Sequence, residues 1–259
     1  MKAAPNIEIR PLTNAEQFRG AVELQKTIWG FDDVDLLPVR FFIVVTKIGG
    51  QAFGAYDGER MVAFCIAIPG LKHPDKHKGP AEDPTTYLHS HMLGVLPEYR
   101  DYGIGRLLKL RQREQAQAEG VHLIEWTFDP LELKNAYFNI ERLGCIVRRY
   151  VRNQYGISSS RLQGGLPTDR CTAEWWLDSE RVRSAIERRE QIRPPVVAKI
   201  SIPSDIDRLK REDPQAARIV QFAATEQFLE HFAKGLAVVG FDRSDTVGSY
   251  LFGEWRETD

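Results

Sequence analysis

Leu93-Gly94-Val95-Leu96-Pro97-Glu98-Tyr99-Arg100-Asp101-Tyr102-Gly103-Ile104-Gly105-Arg106-Leu107-Leu108 is the stretch that decides the fold. The residues up to Val95 read as the end of a strand, Pro97 stops it, and a short turn bearing Arg100 and two glycines opens an amphipathic helix. The N–H groups of a helix's first turn have no partners within the helix, and the helix dipole adds partial positive charge there. Glycine lets an anion approach that backbone with no Cβ in the way. The expected ligand of such a turn is a pyrophosphate. Two other phosphate-binding glycine turns do not fit. A Walker A loop ends in Gly-Lys-Ser/Thr, which is absent, and a dinucleotide fingerprint needs a third glycine where Leu108 stands.

Working outward, Ile7 to Leu12 alternates as a strand, and Asn14 caps a helical pattern that runs through Trp29. A second helix is expected from Pro38 to about Ile48. Gln51–Tyr56 and Met61–Ile68 flank Asp57-Gly58-Glu59 and read as a hairpin, and Pro69 to Pro84, with four prolines, reads as a surface loop. Tyr87–Val95 is the motif strand, Gly103–Glu119 the helix closed by Gly120, and Leu123–Phe128 the next strand. This strand-helix-strand order predicts parallel neighbours joined by a crossover. A helix over Lys134–Leu143, ending at Gly144, and a strand over Ile146–Tyr155 follow. Beyond the Ser/Gly-rich Ser158–Asp169 come a strand at Thr172–Leu177, an Arg/Glu-rich helix at Arg181–Glu190, a hinge at Arg193-Pro194-Pro195, and another strand, helix and strand over Val196–Ile202, Asp213–Lys234 and Leu236–Phe241. Tyr137–Arg148 and Phe228–Gly240 share a helix-Gly-strand grammar that is too short to define a repeat.

Bulk properties narrow the function classes. The 259 residues are 42% hydrophobic and 27% charged, with a formal net charge of -1, which is the balance of a folded globular chain without a field to gather nucleic acid or anionic lipid. No stretch is long and apolar enough for a signal peptide or a membrane span, so a cytoplasmic location is expected. The three cysteines, Cys65, Cys145 and Cys171, form no CxxC pair and are expected as buried or neutral thiols in a reducing compartment. His73 and His77 lack a third partner, so no metal site is expected. The Arg181–Arg189 run, interleaved with glutamates, reads as a solvated helix face rather than a nucleic-acid patch.

The segment Val95-Leu96-Pro97 followed by Arg100-x-x-Gly103-x-Gly105 resembles the coenzyme A motif of the GNAT (Gcn5-related N-acetyltransferase) superfamily, and the element order matches that family from residue 7 to about 156. The resemblance implies an α/β fold with a mixed sheet: a GNAT-like acyl-CoA-binding domain over residues 1–160, with a companion α/β subdomain over 161–259 that lies outside the likeness. It implies acetyl-CoA or another acyl-CoA as cofactor and an amine of a small molecule or peptide as acceptor, attacked directly in a ternary complex. Nucleic acid and membrane are not expected partners, and a homodimer is left open. Val95 is expected to bond pantetheine and the Leu93 N–H to face the thioester oxygen. The pyrophosphate would rest on Asp101, Tyr102, Gly103, Ile104, Gly105 and Arg106, with the Arg100 side chain adding charge.

Such a transfer needs a base for the amine and an acid for the leaving thiolate. His89 and His91 share the parity of Leu93, and His89 stands four before it, where the histone acetyltransferase branch of the family carries a glutamate. Histidine, with an ordinary pKa of about 6.5, can take a proton near neutrality. Each histidine reads equally well as a hydrogen-bonded residue of the sheet. Glu125, on the following strand, is a second base candidate, with a solvated edge charge as its alternative. Many GNAT enzymes place an acidic tyrosine where Ile140 stands here, so the acid is unassigned, with Tyr137 displaced to another face and Asn135 and Asn139 as contacts to coenzyme A. The loop Lys72–Pro84, Asp169-Arg170, Trp175 and Trp176 are candidate walls for the acceptor. The missing tyrosine leaves open a non-catalytic acyl-CoA-binding or regulatory module, and the C-terminal part a role in binding a partner.

Overall fold

The structure, a computed structural model, describes residues 5–72, 84–156, 165–190 and 193–255. Its fold is mixed α/β, and the chain divides into two compact units, one built from residues up to Ile124 and the other from Glu125 onward. The division at residue 160 read from the sequence follows covalent order. The compact units follow contacts, and they group residues 125–158 with the C-terminal part.

In the first unit, strands β1 (Ile7–Pro11), β2 (Gln51–Asp57), β3 (Arg60–Lys72) and β4 (Thr85–Val95) form an antiparallel meander. Helices α1 (Ala15–Trp29) and α2 (Val39–Lys47) precede the hairpin, and α3 (Ile104–Ala118) follows β4. Helix α1 starts where the sequence places it, because Asn14 and Gln17 form a reciprocal capping box, with Gln17 N–H donating to Asn14 Oδ1 at 3.0 Å. Its apolar stripe, Phe18, Ala21 and Leu24, is buried, and Phe18 stacks on Phe42 of α2 at 5.7 Å while Phe42 meets Phe64 of β3 at 6.2 Å. Buried Gln25 accepts from Leu37 N–H at 2.8 Å and donates to Leu37 O at 3.2 Å, which pins the connection between the two helices. At Gly94, a Cβ would lie 2.5 Å from the Trp29 ring, so the end of α1 packs on β4 only because that position is bare.

The expected loop beginning at Pro69 is instead strand as far as Lys72, with Pro69 opposite Leu88 and Lys72 opposite Thr85. Strand β2 pairs with β3 only as far as Ala67. Beyond that point β3 has β4 on one side only, and an edge without a ladder tolerates proline. The rest of that segment, with His73 and His77, lies outside the described residues.

In the second unit the strand order is β5 (Leu123–Phe128, which straddles the division), β7 (Arg170–Trp176), β6 (Ile146–Val151), β9 (Ala237–Arg243), β10 (Val247–Gly253) and β8 (Ala198–Pro203). Around them run α4 (Leu133–Tyr137), α5 (Glu180–Glu187), α6 (Ile206–Glu212) and α7 (Pro214–Ala233). The core centres on Phe228 of α7, which meets Tyr150 at 5.2 Å, Tyr250 at 5.0 Å and Phe252 at 5.7 Å. Pro194-Pro195 leads into β8, while α6 and β10 have no counterpart in the sequence reading. Strand β6 stops at Val151, short of the expected Tyr155, because Asn153 turns with φ 43 and gives its N–H to buried Asp169 at 2.8 Å.

The helix expected over Lys134–Leu143 is α-helical only to Tyr137. It widens to a π-helical turn over Phe138–Arg142, in which Leu143 N–H bonds to Phe138 O at 3.1 Å. The freed carbonyls find side-chain donors. Arg181 reaches Gly144 O at 3.1 Å and Ile140 O at 3.3 Å, and Trp175 Nε1 reaches Leu143 O at 2.7 Å. Arg181 and Trp175 are therefore buried structural donors. This corrects two expectations, since Arg181 does not belong to a solvated face and Trp175 does not line a wall.

Candidate functional site

The motif turn is built as a concave backbone surface. Pro97–Tyr99 makes one 3-10 turn, Arg100 N–H closes it on Pro97 O at 3.2 Å, and Asp101 and Gly103 then take left-handed φ values of 67 and 76. Alternating handedness of this kind turns successive N–H groups to one side, and the first amides of α3 add to them. A Cβ built at Gly103 meets nothing within 4 Å, so the space over the turn is open. Arg100, Asp101, Tyr102 and Gly103 are exposed, while Ile104 and Leu108 bury the helix start against the core. Arg100 Nε lies 3.4 Å from Val95 O. An anionic pyrophosphate fits these groups: exposed amides, an open approach, a helix N-terminus and an arginine.

Strand β4 carries a β-bulge. Met92 pairs with Ile66 and Ser90 with Ala67, so His91 is the extra residue. The expected common parity of His89, His91 and Leu93 is thereby broken. The His91 ring lies 6.4 Å from Phe41 of α2 and 5.9 Å from the His89 ring. Leu93, by contrast, turns its side chain toward Gly105 at the start of α3. Burial pulls the His91 pKa below its ordinary value, so this ring is held neutral. Opposite Leu93 on β3 is Cys65, whose thiol burial pushes up to about 12, leaving it inert at neutral pH. All three cysteines are buried, as expected.

A buried cation that the sequence reading passed over stands behind β4. Lys109 Nζ donates to Ser90 Oγ at 2.8 Å, and Ser90 in turn donates to Gln112 Oε1 at 3.1 Å. All three are fully enclosed. The signal was present: Ile104, Leu108, Gln112 and Ala116 form an i, i+4 stripe in which Gln112 interrupts an otherwise apolar face.

In the second unit, Glu125 is buried rather than a solvated edge charge, and Arg149 holds it at 2.5 Å. The same arginine lies 3.7 Å from buried Glu174, which Arg148 also pairs. Asn135 is exposed, whereas Asn139 is buried and its carbonyl accepts from Trp126 Nε1 at 3.3 Å. Ile140 is fully buried, and Tyr137 carries the Arg243 guanidinium 5.3 Å from its ring. Buried Asp169 accepts from Tyr150 and Thr225, both at 2.9 Å, so it too is structural rather than a wall. Among the described residues no cluster of ligands could hold a metal ion, and no helix is long and apolar enough to cross a membrane.

No family model matches the sequence, and comparison with curated proteins finds no relative. Solved structures do match. Arabidopsis thaliana NAA60 in complex with a bisubstrate analogue superposes with a TM-score of 0.52 at 17% identity, over 66% of this chain and 98% of that one. The same protein in complex with acetyl-CoA gives 0.51 at 15% identity, over 66% and 99%. At these identities the likeness is one of fold. The chain has the mixed α/β, GNAT-like fold that the resemblance of its Arg100-Gly103-Gly105 motif implies.

Proposed function

We propose that this chain is an acyl-CoA-dependent N-acyltransferase whose acceptor is an amine of a small molecule or peptide. The observation that carries the reading is the turn from Arg100 to Gly105, where two left-handed residues and a helix N-terminus leave exposed amides under open space. The amides of Asp101 to Gly105 would hold the pyrophosphate beside the Arg106 N–H, which already donates to Gly103 O at 3.0 Å, Arg100 would add charge, and Val95 would pair with pantetheine. Bound there, acyl-CoA supplies an acyl carbon activated as a thioester.

The remaining roles belong to the chain. The Leu93 N–H donates to the carbonyl oxygen as negative charge develops on it. His89 takes the proton of the attacking amine, and its neighbour His91, kept neutral by burial, adds no competing charge. Glu125 is the weaker candidate for that role because Arg149 already pairs it. At the usual acid position Ile140 is wholly buried and apolar, so water protonates the departing sulfur. Support for a peptide acceptor is limited to the fold it shares with NAA60, solved with a bisubstrate analogue.

The test is release of free thiol from acetyl-CoA with a panel of amines and N-terminal peptides, run beside calorimetry. Binding with turnover that needs His89 supports the enzyme. Binding with no thiol release from any amine would support the second reading, a non-catalytic acyl-CoA module, which the buried Ile140 favours.

A further inference from the structure

The Arg-rich run that the sequence suggested was a solvated face folds into something more specific. Where the π-helical turn meets the end of α5, a cleft of about 490 Å³ is lined by Tyr137, Arg142, Arg188, Arg189 and Arg193, with Glu141 and Glu190. Both Glu141 oxygens are engaged, Oε2 by Arg193 at 2.6 Å and Oε1 by the Phe241 N–H at 2.7 Å. Arg189 is shared by Glu180 and Glu187, and Arg193 also reaches Asp242 at 3.4 Å. Arg142 and Arg188, both in the lining, have no ion pair among the described residues. Arg189 and Arg193 are answered by Glu180, Glu187, Glu141 and Asp242, so the positive charge still open to a ligand rests on Arg142 and Arg188.

The backbone has been committed to this arrangement. Arg188 sits in the left-handed region, φ 58, at the helix end where glycine is the usual residue. The π-helical turn, which adds a residue to the helical circuit, carries Glu141 and Arg142 into the lining. A fifth guanidinium supports the wall. Arg181 is 5% exposed, its Nη1 has no hydrogen-bond partner among the described residues, and it feels both Glu141 and Arg193. Desolvation lowers its pKa to about 10, so it stays charged at neutral pH and adds to the positive field.

We infer that this cleft is a binding site for a small phosphomonoester, made of different residues from the α3 turn. A phosphate dianion suits the two arginines without an ionic partner, Arg142 and Arg188, because planar guanidinium forks bind it bidentately. The volume exceeds what a lone phosphate fills and is within the range of small-molecule sites, so the phosphate arrives on an organic body, with Tyr137 as the aromatic surface.

The experiment is calorimetric titration of the full chain with AMP at low salt, with and without saturating acetyl-CoA, using inorganic phosphate and adenosine as further probes. The inference predicts one AMP site that persists when acetyl-CoA is saturating, weaker binding of phosphate at the same site, and no binding of adenosine. In Arg142→Gln/Arg188→Asn, AMP affinity falls by roughly tenfold per arginine, while acetyl-CoA affinity is unchanged. Neither side chain has a partner to orphan, and asparagine suits the left-handed position, so the variant folds; Arg142→Gln alone is the second variant. The inference is overturned if AMP does not bind, if acetyl-CoA displaces it, if adenosine binds as well as AMP, or if the variants bind AMP like the wild type. The titration without acetyl-CoA decides the matter even if the acyltransferase reading fails.

Discussion

Replacing Gly103 with alanine separates the ligand role of the motif turn from its structural role, because the same helix offers a matched control. Gly103 opens α3 at φ 76, and Gly120 follows its other end at φ 74. A Cβ at either position meets nothing within 4 Å, so neither substitution clashes. Each instead forces an L-residue into the left-handed region, at a cost of roughly 1–2 kcal/mol. Gly103→Ala and Gly120→Ala should therefore lower the apparent melting temperature by similar amounts, a few degrees. Their effects on acetyl-CoA binding should diverge. At Gly103 the added methyl group also stands where the phosphate approaches the turn, so affinity falls by roughly 10- to 150-fold, the loss of one hydrogen bond to a charged group. At Gly120 it is unchanged. Calorimetry with acetyl-CoA and a thermal melt of each variant read both quantities. Equal loss of affinity in the two variants would refute the reasoning, as would loss in neither despite equal destabilisation.

Other predictions concern separate parts of the chain. His89→Gln should lower the rate of thiol release by about 10²–10⁴-fold with little change in donor affinity, whereas Glu125→Gln, which removes a buried carboxylate already held by Arg149 and so not free to take a proton, should leave the rate within about threefold in the same assay. His91→Phe should flatten the acid limb of stability. The native ring's pKa lies below 6.5, so the unfolded chain binds a proton first, and the stability present above pH 6.5 is lost as pH falls toward the native value; urea melts from pH 7.5 to 5 check this. Arg181→Met should destabilise the second unit by about 3 kcal/mol, because the carbonyls of Ile140 and Gly144 lose their buried donor. Hydrogen exchange at the π-helical turn localises that effect.

What the sequence made legible was local in origin. Asn14, the Asp57-Gly58 turn and the Pro97-to-Gly105 segment each specify their own backbone through capping, turn chemistry or glycine, and the structure follows them. What it hid depends on partners far along the chain. The bulge at His91 exists only in the pairing of β4 with β3, so alternation along the strand put His89, His91 and Leu93 on one face when they are not. The π-helical turn depends on Arg181 and Trp175, more than thirty residues downstream, to receive its carbonyls. Glu125 looked like an edge charge because its partner Arg149 belongs to another strand. Helix α6 is short and its Asp207-Arg208 and Lys210-Arg211-Glu212 obscure the apolar period, and β10 follows β9 after only three residues. In the candidate site, the amides of the motif turn could be read directly, while the base could not, because its surroundings are set by that bulge.

The most direct test of the central claim is a backbone amide NMR titration with acetyl-CoA. The account predicts saturating shifts, at one acetyl-CoA per chain, centred on the amides of Asp101 to Arg106 and extending along Leu93 to Val95. Saturation without movement of the Asp101–Arg106 amides, or no saturable shift anywhere, would contradict it.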